Sequence, residues 1–209
     1  MNTKGQEVKR IKEADLKNIR KYLIENNKID FLAFINIGVN TALRISDLSK
    51  IKFENINSDW SFEIIETKTK KKRIVVFNKV CISTIKDLKI YYEKIGYDVK
   101  KGYLFKKLSY YNKKFLIDKP VDINSMTRRF AKLKKTLNIN YPINSHSLRK
   151  TWGYTVYKKT KDIGLVMKAL NHSNPIVTLK YIGIEEEDIK EIFKKYEIWI
   201  RKIFPDFFI

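Results

Sequence analysis

The chain holds only two histidines, and each stands close to another residue able to act on an anion. The first opens His146-Ser147-Leu148-Arg149. On a helix, residues three apart share a face, so this imidazole and guanidinium can address one target. The second, His172, precedes Tyr181 by nine residues. Arg44 lies far upstream in Thr41-Ala42-Leu43-Arg44-Ile45-Ser46-Asp47, and Lys68 lies between in Glu66-Thr67-Lys68-Thr69-Lys70. A guanidinium presents a planar fork of donors that matches two anionic oxygens, and a lysine cannot copy that fork. Singly, each residue has a bland reading. An arginine is usually surface charge, His146 could cap a helix, Tyr181 is one of 12 tyrosines, and Lys70, Lys71 and Lys72 crowd Lys68. Jointly the bland reading fails, because both histidines fall into one ordered set with two arginines and a tyrosine.

That order, Arg, hairpin Lys, His-x-x-Arg, His, Tyr, resembles the active-site signature of the tyrosine recombinase (phage-type integrase) family. The family strings T-G-L-R-I/L-S-E, T-K-T-x-K, H-D-L-R-H-T and L-G-H-x8-Y correspond here to TALRISD, TKTKK, HSLRKT and LNHSNPIVTLKY. The similarity runs over residues 13–184. Four departures stand out: Ala42 and Asn171 replace the usual glycines, Ser147 the usual Asp and Lys150 the usual His. Asn tolerates left-handed backbone better than most residues, so the turn at Asn171 can survive. None of the four removes a reacting group.

The resemblance implies a catalytic domain that cleaves and rejoins DNA through a 3′-phosphotyrosine bond. Arg44 and Arg149 would stabilise the charge that develops on the non-bridging phosphate oxygens, and His172 would add a donor. Tyr181 would be the nucleophile. Its ordinary pKa of about 10 leaves little phenolate at neutral pH, so it needs a base, a role that falls to His146. Lys68 would protonate the departing 5′-oxygen. Asp47, three residues after Arg44, would orient an arginine or His146 as a supporting carboxylate. Cationic side chains take the place of a metal, and no cofactor is implied. Two other readings remain: a non-catalytic DNA-binding protein that kept the fold, and a type IB topoisomerase-like enzyme.

The elements that must position these residues follow from periodicity. Helical spacing marks 13–26, 29–38, 79–95, 122–137, 146–159, 162–170 and 174–181. Ser46 is placed to cap a short helix from Asp47 to Lys50. Stretches 51–56, 61–67 and 73–77 read as strands of a small antiparallel sheet, the last two joined by the basic turn Lys68–Lys72. The class is therefore mostly α with a small antiparallel β-sheet (α+β). Residues 1–184 form the catalytic domain on this reading. Residues 185–209 form a helical tail whose stripe runs through Ile189, Ile192, Phe193, Tyr196, Trp199, Ile200, Ile203 and Phe204, a surface that either folds back on its own domain or docks on a neighbouring protomer.

Composition agrees. In 209 residues, 44 Lys and Arg face 23 acidic residues, a net charge of +21, which calls for a polyanionic partner such as double-stranded DNA. A lysine-rich bias from an AT-rich genome would raise the charge in the same direction. Cys81 is the only cysteine, so intramolecular disulfides and cysteine-based zinc sites are excluded, and its apolar neighbours mark it as core. No apolar run is long enough to span a membrane, and Met1–Gly5 lacks the layout of a signal peptide, so a cytoplasmic, nucleoid-associated protein is expected. The resemblance begins by residue 13, which leaves no room for the N-terminal DNA clamp of typical members. The expectation is a small stand-alone recombinase, or alternatively a fragment of a longer enzyme, that assembles as a tetramer on DNA, with an accessory DNA-bending protein as a further partner.

Overall fold

The computed structural model describes residues 7–183 and 186–195. Its hub is α2 (Ile29–Thr41), whose Phe31, Ala33, Phe34, Ile35 and Ile37 are all buried. Against it pack α1 (Glu13–Glu25), α4 (Lys79–Lys94) and α7 (Ser145–Thr160). A helix that is apolar on almost every side can be stable only when other elements enclose it. Edge-to-face pairs fasten it further: Phe34 to Phe105 at 5.0 Å and Phe31 to Phe130 of α6 (Ile123–Thr136) at 5.2 Å between ring centroids. Cys81 is fully buried, as expected of a core residue.

Helix starts follow the capping rule. Side-chain oxygens of Asn78, Asp122 and Asn144 accept backbone N–H groups at the starts of α4, α6 and α7. Asp162 and Asn174 do the same for α8 (Ile163–Leu170) and α9 (Pro175–Ile182). At α7 the cap is reciprocal, since Ser147 also accepts from the Asn144 amide. These caps fix where His146 and Arg149 emerge.

Three expectations are corrected. Ser46 caps nothing: α3 (Ile45–Leu48) begins after extended Arg44 and has no side-chain cap. Residues 51–56 are not a strand of the sheet. Leu104 N–H donates to Ile51 and Phe53 N–H to Gly102, so this stretch pairs with 102–104 and then curls into a 3-10 turn at Phe53–Asn55. Its apolar side chains serve the core beneath, where Phe53, Tyr92 and Tyr97 surround the buried Lys106 ammonium, itself bonded to Asp118 at 2.9 Å. The sheet is therefore two-stranded, β1 (Ser61–Ile65) against β2 (Lys72–Val76), antiparallel with Ser61 opposite Val76. A short helix with no sequence forecast, α5 (Tyr110–Lys114), is capped by Ser109. No described helix is long and apolar enough to cross a membrane.

A second, smaller core holds the C-terminal helices. Val166, Leu170 and Ile182 are buried with Ala42, and Trp152, Leu179 and Tyr181 pack around them. Here α8 and α9 lie against each other and against α7. The fit is closest at Gly153, where an added Cβ would lie 2.9 Å from Ile182 and 3.5 Å from Leu170. Beyond α9, the tail is described only as α10 (Glu186–Lys195); Tyr196, Trp199, Ile200, Ile203 and Phe204 lie outside the described residues.

Gly153→Val should lower stability by about 1–3 kcal/mol through overpacking. Urea unfolding measures it. A variant as stable as wild type would show that α8 and α9 do not depend on this contact.

Candidate active site

The site begins at two left-handed turns. Ala42 ends α2 at φ 55° and Asn171 ends α8 at φ 53°. Asn suits that backbone; Ala adopts it only against a steric cost. What the cost secures is a carbonyl turned towards Arg149. Arg149 projects from α7 into the space between the turns. Its Nη1 donates to the Ala42 carbonyl and its Nη2 to the Leu170 carbonyl at 2.6 Å. The side chain is 1% exposed. Burial pulls the guanidinium pKa down to about 10, which still leaves it charged at neutral pH.

Around that buried cation stand three more of the expected residues. The Tyr181 and His172 rings meet edge to face, 5.1 Å apart. His172 Nδ1 lies 3.0 Å from the buried Thr178 hydroxyl. The same hydroxyl also lies 3.4 Å from the Asn174 carbonyl, and its one hydrogen goes either there or to Nδ1; in the second case Nε2 of His172 carries the ring hydrogen and can give it to a ligand. Arg44, directly after the Ala42 turn, donates from Nη1 to Glu66 at 2.8 Å. Burial raises the Tyr181 pKa, and the Arg149 and Arg44 charges only partly offset it. The phenol therefore needs a base to become a nucleophile.

His146 and Lys68 stand at the margin. The His146 ring is open to solvent at the start of α7. Partial desolvation lowers its pKa, and repulsion from Arg149, Arg44, Lys150 and Lys68 lowers it further. A neutral imidazole can accept a proton. For His172, desolvation is again the first cause of a lowered pKa, followed by Arg149 and Arg44. Lys68 is exposed in the turn between β1 and β2. Lys150, at the usual His position, is buried 5.4 Å from the centroid of the Tyr181 ring and paired with Glu7 at 2.8 Å.

Asp47 is corrected. Among the described residues its carboxylate bonds neither an arginine nor His146. It is fully buried, and its Oδ1 accepts the Thr67 backbone N–H at 2.8 Å, bracing the hairpin. Two residues that motif reading passed over are central instead. Glu66 accepts from Arg44 and, at 2.6 Å, from the Thr69 hydroxyl. Arg73 donates to the Thr41 carbonyl at 2.9 Å and faces Glu66 at 3.6 Å. One sequence signal marked Glu66: it is the single acid beside a run of basic residues. Among the described residues, no three His, Cys, Asp or Glu side chains converge as metal ligands.

Comparison with known proteins agrees with this geometry. The profile described as the Phage integrase family matches residues 5–188. A Bacillus subtilis protein named probable integrase/recombinase YoeC is 32% identical over 182 residues, covering 87% of this chain and 92% of its own length. The crystal structure of XerA recombinase superposes with a TM-score of 0.73 at 17% identity, over 96% of this chain and 67% of that one. XerH recombinase in a post-cleavage complex with its difH substrate gives a TM-score of 0.69 at 16% identity, over 93% of this chain. The chain spans 55% of that XerH chain.

With only two histidines in the chain, their ring protons can be followed without ambiguity by NMR. Both should titrate with midpoints below 6.5. Since the folded state resists these protons more than the unfolded chain does, stability should fall as pH drops below that value. Arg44→Gln should raise both midpoints by removing one facing cation. A His146 or His172 midpoint at or above 6.5 in the wild type would contradict the described surroundings.

Proposed function

The chain belongs to the phage integrase family of tyrosine recombinases, and we propose that it cleaves and rejoins double-stranded DNA through a 3′-phosphotyrosine intermediate. One observation carries this reading: Tyr181 packs edge to face on His172 inside the electrostatic reach of Arg149 and Arg44. A scissile phosphate bound there would meet two guanidiniums and an imidazole on its non-bridging oxygens. As Tyr181 attacks, its Oη–P bond forms and the bond from phosphorus to the 5′-oxygen breaks. The phenol proton passes to His146 and a proton from Lys68 goes to the 5′-oxygen. The phosphotyrosine keeps the energy of the broken diester, so a 5′-hydroxyl from another strand can reverse the step without ATP. Donors fixed in advance in a partly dry pocket stabilise the developing charge with little reorganisation.

The partner in this reading is duplex DNA, held by a surface with a net charge of +21 and therefore bound in a salt-dependent way. Its place would be the nucleoid in the cytoplasm, and an accessory DNA-bending protein would shape the synapse. Residues 1–184 would be the catalytic unit and residues 185–209 a tail that docks on the next protomer. Ile189, Ile192 and Phe193 of α10 are each about half exposed or more, with Ile192 lining a crevice beside Tyr154 and Tyr157 of α7 and Phe193 the most open. The first turn of α10 is tied to its own chain, through Asp188 to the Tyr154 hydroxyl and to Arg10 at 3.6 Å. A head-to-tail exchange closes into a ring, and a ring of four suits two DNA sites with two protomers each.

The chemistry is tested with a library of nicked duplexes of randomised sequence, recovering the strands that become linked to protein. Tyr181→Phe should abolish linkage while duplex binding stays near wild type. Arg44→Lys and Arg149→Lys should each slow cleavage about 10²–10³-fold, the usual worth of a lost transition-state donor. Linkage at wild-type level in Tyr181→Phe would remove the nucleophile assignment. No linkage by the wild type to any member would favour a binding protein that kept the fold.

The tail is tested by truncation after Gly183. The shortened protein should still cleave a recovered duplex yet fail to pair two duplexes in a gel-shift assay. Pairing at wild-type level would refute the docking role, and loss of folding would place the tail in its own domain's core.

A further inference from the structure

Neither the family signature nor the reaction just described gives Glu66 a task, yet its side chain is fully buried at the centre of the basic site. Its Oε2 receives two bonds, from Arg44 at 2.8 Å and from the Thr69 hydroxyl at 2.6 Å. Its Oε1 faces Arg73 at 3.6 Å, and Arg73 is itself fixed to the Thr41 carbonyl one turn before Arg44. We propose that Glu66 is a positioning residue that sets Lys68 and Arg44 in one fixed relation, with Arg73 holding Glu66 in place. This rests on the recombinase reading of the same site.

The argument starts from Lys68 itself. It is exposed in a turn, and a lysine on a flexible stem protonates nothing reliably unless its backbone is held. Both neighbours are held. The Thr67 amide is bonded to buried Asp47, and the Thr69 hydroxyl to buried Glu66. Among the described residues, the main chain of Lys70 and Lys71 is held by the turn's own bonds, Lys70 N–H to the Glu66 carbonyl and Glu66 N–H to the Lys71 carbonyl, and not by a buried carboxylate on each side. Lys70 occupies the left-handed corner of the turn at φ 57°, and Lys72 is paired with Glu63 at 2.7 Å across the strands. The bracing thus singles out Lys68. It also joins the two halves of the chemistry, because the oxygen that receives Thr69 also receives Arg44.

Charge supports the arrangement. Burial pushes the Glu66 carboxyl pKa up, but hydrogen bonds from Thr69 and Arg44 and the Arg44 charge outweigh it and hold it at about 2. The nearby Asn171 amide biases it in the same direction, although that amide makes no hydrogen bond of ordinary geometry. Glu66 is therefore an anion throughout the working range. Buried without Arg44 and Arg73 it would be costly, so its retention ties the hairpin to these arginines. Arg44 commits one of its five N–H donors to this carboxylate in the recorded bond, and the rest of the fork can meet a phosphate.

The test compares two versions of a duplex recovered from the nicked library, one ordinary and one with sulfur in place of the bridging 5′-oxygen. A thiolate departs without a proton, so Lys68→Ala should cleave the sulfur duplex far better than the ordinary one. The readout is each variant's ratio of sulfur to oxygen cleavage. Glu66→Ala should raise that ratio at least tenfold over wild type and slow both duplexes, since Arg44 also loses its anchor. General acids are typically worth about 10²–10⁴ in rate, which leaves room for that change. Glu66→Gln keeps both acceptor contacts and should return the ratio towards wild type. Thr69→Val cuts the bond from the hairpin to Glu66, together with the long 3.5 Å contact from the Lys71 N–H, leaves Arg44 on Glu66, and should raise the ratio with little change on the sulfur duplex. It decides the matter if Glu66→Ala does not fold. An unchanged ratio in Thr69→Val and in any folded Glu66→Ala overturns the proposal. A wild type that links to no member of the nicked library, so that no duplex is recovered, would count against the recombinase reading itself, a different result.

Discussion

A single buried cation organises the site. Arg149 gives its guanidinium to two backbone carbonyls, at Ala42 and at Leu170, far apart in the chain. Removing a charge from water is expensive, and carbonyl oxygens return part of that cost only when they point inward together. The two left-handed turns that end α2 and α8 aim them so. Fixing Arg149 therefore fixes how α7, the end of α2 and the end of α8 meet. Arg44 leaves the first turn, and His172 follows the second. The backbone conformation at Ala42, costly for a residue with a Cβ, is the local expense of an arrangement that three helices share.

The hairpin is joined to this frame by carboxylates rather than by packing. β1 and β2 carry exposed Ile65, Ile74 and Val76; Phe62 and Val75 enter the core from the paired strands, and Ile64 packs partly against it. A two-stranded ribbon with so little burial is marginal alone. Asp47 and Glu66, both without solvent contact, tie the turn to α3 and to Arg44. These are directional bonds, so they can hold the turn in one register where apolar contact would let it slide. The same carboxylates temper the repulsion among Arg44, Arg73 and Arg149, cations that a phosphate would neutralise only when DNA arrives.

Most helices were legible because burial imposes period. α2, α4 and α6 carry apolar residues wherever they face the core, and Asn or Asp stands at the start of α4, α6, α7, α8 and α9. Residues 51–56 misled for a physical reason. Ile51, Phe53 and Ile56 give a β-like run, but the N–H of Phe53 finds its acceptor in Gly102, outside the hairpin. α5 spans five residues and has no stripe to read. In the site, Arg44, Lys68, His146, Arg149, His172 and Tyr181 could be nominated because their order is a pattern. The geometry brings Arg44, Arg149, His172 and Tyr181 together and sets His146 and Lys68 at the rim. The partner of Asp47 was illegible: a backbone amide 20 residues away has no signature in side-chain type. Glu66 escaped for the same reason, since its importance lies in what surrounds it.

The division of the core into two unequal parts bears on how such a site can turn over. The main cluster, around α2, would resist any displacement of Arg44 or of the Arg149 backbone. Tyr181 belongs to the smaller cluster, on a helix of eight residues whose Ile176 is 70% and Val177 52% exposed. Opening free energy tracks buried apolar contact, so α9 can shift at far less cost than α7. Its deep anchors are few: Thr178 towards His172, and Ile182 against Gly153. In the proposed reaction, a nucleophile carried on a lightly held helix beside cations carried on a heavily held one could approach and leave a phosphate that stays bound. Reversal of a covalent step needs that asymmetry, because the phosphate must keep its stabilising contacts while its bond to the tyrosine is made and broken.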